Sequence, residues 1–83
     1  GSAIQDLISD RHGRQRALLG WSESEVRRDY EILREEIHAA VRRHVTRGGE
    51  ADTERAIEVA NHMIDRGVET SVRAFLEERA TTG

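Results

Sequence analysis

Apolar and polar positions along the chain divide it into three helical segments separated by glycine. In the first, from about Ala3 to Leu19, the apolar positions are Ile4, Leu7, Ile8, Leu18 and Leu19. Arg11, His12, Arg14, Gln15 and Arg16 interrupt that face, so the segment is only weakly amphipathic. Gly13 weakens it further, by about 1 kcal/mol relative to Ala inside a helix. A second helix is expected from about Glu23 to Val45, where Val26, Tyr30, Leu33, Ile37, Ala40 and His44 alternate steps of four and three. That spacing is the seam of a bundle or short coiled coil, and Val41 and Val45 widen it. A third is expected from about Thr53 to Arg79, capped by Asp52 or Thr53. Its seam is Ile57, Ala60, Ile64, Gly67, Ser71 and Ala74, broadened by Met63, Val68, Val72, Phe75 and Leu76.

The breaks between these segments carry their own chemistry. Gly20 suits a left-handed helix terminus. Ser22 with Glu25 three residues later forms an S-x-x-E capping box, and Trp21 with Val26 fits a hydrophobic staple. Glu23 and Glu25 complement the positive end of the helix dipole. The run Thr46 to Ala51 contains Gly48-Gly49 and reads as a loop. Gly1-Ser2 reads as a cloning scar and Thr81-Thr82-Gly83 as a frayed end.

The fold class that follows is all-α: three helices, with a long antiparallel hairpin formed by the second and third. Each of those two helices would be roughly 35–40 Å long. A lone hairpin leaves half of each apolar stripe wet, and the first helix has few apolar residues with which to cover it. A homodimer completing a four-helix-type bundle is therefore expected. Ala60, Gly67, Ser71 and Ala74 place small side chains along one stripe of the third helix, which is the expected dimer contact.

Composition sharpens this picture. Only 36% of the 83 residues are hydrophobic and 35% are charged, thin provision for a single core. No Cys is present, which removes disulfides, thiolate chemistry and most structural zinc sites. The absence of Pro fits long uninterrupted helices. The net charge is −3, every basic residue is Arg, and acid and base are interleaved, so no basic stripe is available for nucleic acid. No apolar run approaches a membrane span, and a cytoplasmic location is expected.

Candidate chemistry is sparse. His12, His38, His44 and His62 do not form an i, i+4 metal pair. His62 has Glu58 and Asp65 on its face, a spacing equally ordinary for a solvated ion pair. None is followed by the acid-containing run of a phosphoacceptor histidine. There is no Gly-x-Ser-x-Gly elbow, and no Gly-Lys-Ser/Thr follows Gly48-Gly49. The carboxylates pair with Arg at helical spacing, as in Glu23 with Arg27 and Glu31 with Arg34. The cluster Arg11 to Arg16 fits an anionic ligand or an acidic partner surface, but such clusters are more often solvated. No enzymatic activity, metal or cofactor is expected.

The order of motifs carries a resemblance. His12-Gly13-x-x-Arg16, Gly20-Trp21, Val26-x-x-Asp29-Tyr30-x-x-Leu33-Arg34, Ile64-Asp65 and Ser71-x-x-x-Phe75 follow one another. From about Asp10 to Glu78 the chain resembles the helical amino-terminal sensor domain of the RsbR/RsbRD type, found in stressosome-type regulators and bacterial histidine kinases. It differs in having Asp29 where Glu is commoner and in lacking one or two amino-terminal helices of the usual domain. The resemblance implies a non-enzymatic sensory or dimerisation module of a bacterial signal-transduction protein, bundle-like or globin-like and without haem. Under it Tyr30, Leu33, Arg34, Asp65 and Phe75 are structural, as Trp21 is at the capping corner. Arg34 and Asp65 could meet across the hairpin and fix its register. The other reading of the residues is a free-standing helical adaptor or antitoxin-like module that binds another protein.

Overall fold

A computed structural model describes residues 2–44 and 49–82. The chain folds into α1 (Ser2–Leu18), α2 (Glu23–His44) and α3 (Glu50–Thr82), so the all-α expectation holds. Val45 and the expected loop residues 46–48 lie outside the described residues, as do Gly1 and Gly83.

The turn from α1 to α2 is built as its residues dictate. Gly20 has φ of 84° and donates its N–H to the Ala17 carbonyl (3.1 Å), while Trp21 donates to the Arg16 carbonyl (3.0 Å). These are the paired bonds of a Schellman motif, with the glycine at its left-handed position. The Arg16 guanidinium lies 4.8 Å from the centre of the Trp21 ring, so a cation–π contact occupies the place of the usual apolar one. At the start of α2, the Glu25 N–H donates to Ser22 Oγ (3.2 Å), and the Ser22 N–H donates to Glu25 Oε1 (2.9 Å), closing the capping box. Ser22→Ala is expected to lower stability by about 0.5–2 kcal/mol. An unchanged chemical-denaturation midpoint would refute this assignment.

The ends of α3 differ from the sequence reading. Gly49, at φ of 91°, precedes the helix, and its carbonyl accepts both the N–H (3.2 Å) and the hydroxyl (3.1 Å) of Thr53. Thr53 therefore sits inside the first turn rather than capping it, and Asp52 lies within the helix as well. At the other end, Thr81 and Thr82 hydroxyls donate to the Glu78 carbonyl at 2.8 and 3.0 Å. Those bonds satisfy a carbonyl of the last turn, and the helix continues through both residues instead of fraying after Ala80. Ser2, read as part of a scar, is the first residue of α1.

α3 is the spine. Asp6 meets Arg66, Ser9 meets Ser71 and Arg14 meets Glu77, so α1 runs parallel to it. Tyr30 meets Ser71, Arg34 meets Asp65, and His38 meets Asn61, so α2 runs antiparallel as the hairpin requires. Both pack along α3 and touch one another only sparsely. The core is small: Val26, Val72 and Phe75, with Ala17, Trp21, Tyr30 and Val68 against it. It lies at the corner end, where α1 and α2 are joined.

The result is a flat body of 50 × 23 × 13 Å with a radius of gyration of 14.8 Å, against about 12 Å for a compact domain of this length. Its accessible surface is 6005 Å², against about 5,000 Å² for a folded monomer of this mass.

Candidate functional site

α1 docks on α3 by its polar and small side. At about 100° per residue, Ile4 lies opposite Gly13 on the helix. Gly13 is buried against α3, where an added Cβ would fall on the Ser71 carbonyl oxygen. The backbones cross there at a distance that only glycine permits. Ile4, Leu7, Ile8, Leu18 and Leu19 consequently face solvent, each at least half exposed. Ion pairs supplement the crossing: Asp6 with Arg66 (2.6 Å), and Arg14 with both Asp10 (2.8 Å) and Glu77 (2.9 Å).

Beside the crossing the three helices meet in one hydrogen-bonded node. The fully buried Ser71 hydroxyl donates to the Ser9 carbonyl at 2.7 Å. Its one proton is thereby used, so Tyr30 OH is the donor in the 2.5 Å contact to Ser71 Oγ. Gly67 sits one turn away, where an added Cβ would stand 3.3 Å from the Tyr30 ring and 3.5 Å from Ser9 Oγ. The node joins α1, α2 and α3, and the short Ser71 side chain at its centre reaches the Ser9 carbonyl only because α1 lies this close to α3.

Beside the node, α1 and α2 flank a cleft of about 390 Å³ floored by α3. Ile8 lines the α1 wall, Leu33 and Ile37 the α2 wall, and Ala60, Met63 and Ile64 the floor. At the corner end, Arg16 to Asp29 (3.0 Å) ties α1 to α2. The opposite side of α3 is charged, with Asp65, Glu69, Arg73 and Glu77 among the residues that line its grooves.

The sequence-derived residues separate cleanly in this frame. Phe75 is fully buried in the core, Trp21 packs against it, and Tyr30 is in the node. Leu33, by contrast, is 40% exposed on the cleft wall. Arg34 does meet Asp65, at 2.6 Å, and also donates to Asn61 (3.0 Å) and Glu31 (3.2 Å). His38 Nε2 shares the Asn61 amide oxygen at 2.7 Å. Asp65 remains well exposed, which gives this pair the character of a solvated bridge.

Three of the four small residues expected at a dimer contact, Gly67, Ser71 and Ala74, pack within the chain, and only Ala60 stands on an open surface. Ser71 and Ala74 are 0% and 2% exposed, Gly67 faces Tyr30 and Ser9, and Ala60 lies in the cleft floor. The physical reason is α1, which takes up the space beside Gly67, Ser71 and Ala74. The basic segment Arg11 to Arg16 is likewise dispersed. Arg14 is held by Asp10 and Glu77, and Arg16 by Asp29, His12 and the Trp21 face. Arg16 Nε is buried without a hydrogen-bond partner, beside the indole that stacks on its guanidinium.

Two carboxylates titrate below their ordinary values. The Ser22 backbone N–H, then its hydroxyl, stabilises ionised Glu25, and the Arg66 guanidinium does the same for Asp6. A group whose pKa is lowered by folding stabilises the fold above its unfolded pKa, and this is lost as pH falls through the folded value. Stability is therefore expected to fall below about pH 4–4.5, the ordinary carboxylate range. The double variant Glu25→Gln/Asp6→Asn should shallow that acid slope. Urea midpoints measured across pH 3–6 would check it, and an unchanged slope would contradict the assignment.

Among the described residues no group of three His, Cys, Asp or Glu side chains could hold a metal ion, and no helix is long and apolar enough to cross a membrane. The chain matches no family model, no curated protein and no solved structure.

Proposed function

We propose that this chain is a non-enzymatic sensory or dimerisation module of a bacterial signal-transduction protein, of the histidine-kinase or stressosome-regulator kind, working in the cytoplasm. The observation that carries the association part of this reading is surface. The body is only 13 Å through its thinnest dimension, and it leaves Ile4, Ile8, Leu33, Val59 and Met63 between 40% and 64% exposed. Apolar exposure on this scale in so small a chain is characteristic of an association surface. The signalling assignment rests on the resemblance of the motif series from His12 to Phe75.

Regulatory modules of this kind act by changing how helices pack against a partner, and they need no reactive group to do so. A cleft between α1 and α2 suits that role, because the two helices touch one another only sparsely and are tied at the corner by Arg16 and Asp29. Sedimentation equilibrium at micromolar concentration tests the association part directly. The expected species has twice the 9.4 kDa mass of the chain. A clean monomer would remove the support for a dimerisation module.

A further inference from the structure

Resting on that reading of the chain as a dimerisation module, we infer that the partner is a second copy of this chain and that it docks on the cleft face. The contact centres on Met63 and Ala60, between the walls formed by Ile8 and Leu33. The small-residue stripe around Ser71 and Ala74 is not part of it.

The first argument is area. The chain exposes about 1,000 Å² more than a compact protein of its mass. A standard-size interface removes about 800 Å² from each partner, so one second copy accounts for the excess.

The second argument is the difference between the two sides of the slab. On the cleft side Ile8, Leu33 and Met63 are 50%, 40% and 50% exposed, and Ile4 and Val59 stand nearby in the sequence of α1 and α3 at 64% and 55%. The other side also exposes Leu7 and Leu76, at 60% and 43%, but sets them among Asp65, Glu69, Arg73 and Glu77. Covering the cleft side removes apolar surface from water, whereas covering the other side would desolvate charges.

The third argument is charge. The ionised groups at the cleft, Asp6 and Arg66, neutralise each other across a 2.6 Å pair. The face therefore has no excess charge with which to select an oppositely charged partner. An apolar, internally neutral surface is compatible with its own copy, as a twofold interface requires. The cleft adds shape: it is concave at 390 Å³, and Ile8 on its α1 wall is a half-exposed side chain able to enter the facing cleft.

The test is sedimentation equilibrium on the whole chain and three variants, with helicity followed by circular dichroism. Met63→Glu and Ile8→Glu place a charge on the cleft face at half-exposed positions. Leu76→Glu places one on the opposite side, at a position 43% exposed. The expected result is a wild-type dimer whose Kd rises at least about tenfold in each cleft variant, helicity being retained, and by less than about twofold in Leu76→Glu. Should Met63→Glu lose helicity, Ile8→Glu carries the comparison, since it lies on a different helix. A dimer indifferent to both cleft variants, or weakened equally by Leu76→Glu, overturns the docking face while leaving the dimerisation reading intact. A wild-type monomer overturns both.

Discussion

Gly13→Ala is expected to destabilise the chain, although alanine is the better helix former. In an unconstrained helix the change would gain about 1 kcal/mol. Here the new methyl falls on the Ser71 backbone carbonyl, which has no rotamer through which to retreat. Relief requires α1 to move off α3, with strain of the kind that costs about 1–3 kcal/mol in overpacked cores. The displacement also pulls the Ser9 carbonyl away from the Ser71 hydroxyl and stretches the Asp6–Arg66 pair. At about 4–8 °C per kcal/mol for a domain of this size, the melting temperature should fall by several degrees. A rise in melting temperature would show that α1 does not cross α3 at this residue.

Phe75→Ala is expected to have the largest effect of any single truncation, about 3–5 kcal/mol. Phe75 is fully buried, and the cluster around it contains just two other buried apolar side chains, Val26 and Val72. A core this small has no neighbouring layer able to collapse into the cavity. Native stability of small domains begins at about 5 kcal/mol, so from that level the variant should keep at most about 2 kcal/mol and melt far below the wild type. Thermal melts followed by far-ultraviolet circular dichroism check this, and a midpoint within a few degrees of the wild type would mean that the core lies elsewhere.

What could be read before the fold was known follows from the range of each interaction. The corner from Gly20 to Val26 is written in seven consecutive residues, because a Schellman turn, a capping box and a staple are all local. The hairpin of α2 and α3 is legible from its seams, whereas the meeting of Arg34 with Asp65, each one residue off its seam, is an option that only the resemblance raises. α1 was not legible in the same way. Its apolar periodicity points to one face, whereas the helix docks by the opposite face, through Gly13, Ser9 and Asp6. A glycine at a helix crossing and a glycine that merely weakens a helix look identical in one sequence. Gly67 posed the converse problem: a small residue marks a close neighbour without saying whether that neighbour is Tyr30 of the same chain or another molecule. Asn61, which joins Arg34 and His38, had no periodic or charge signal to set it apart.

The stacked corner has an optical consequence. Trp21 is the single tryptophan of the chain, accompanied by one tyrosine and one phenylalanine, and it sits where α1 hands over to α2 with a guanidinium across its ring. Emission excited at the red edge of the absorption band therefore arises from one place in the molecule. That place is the corner that joins the two cleft walls, so the protein carries its own optical reporter of the packing there.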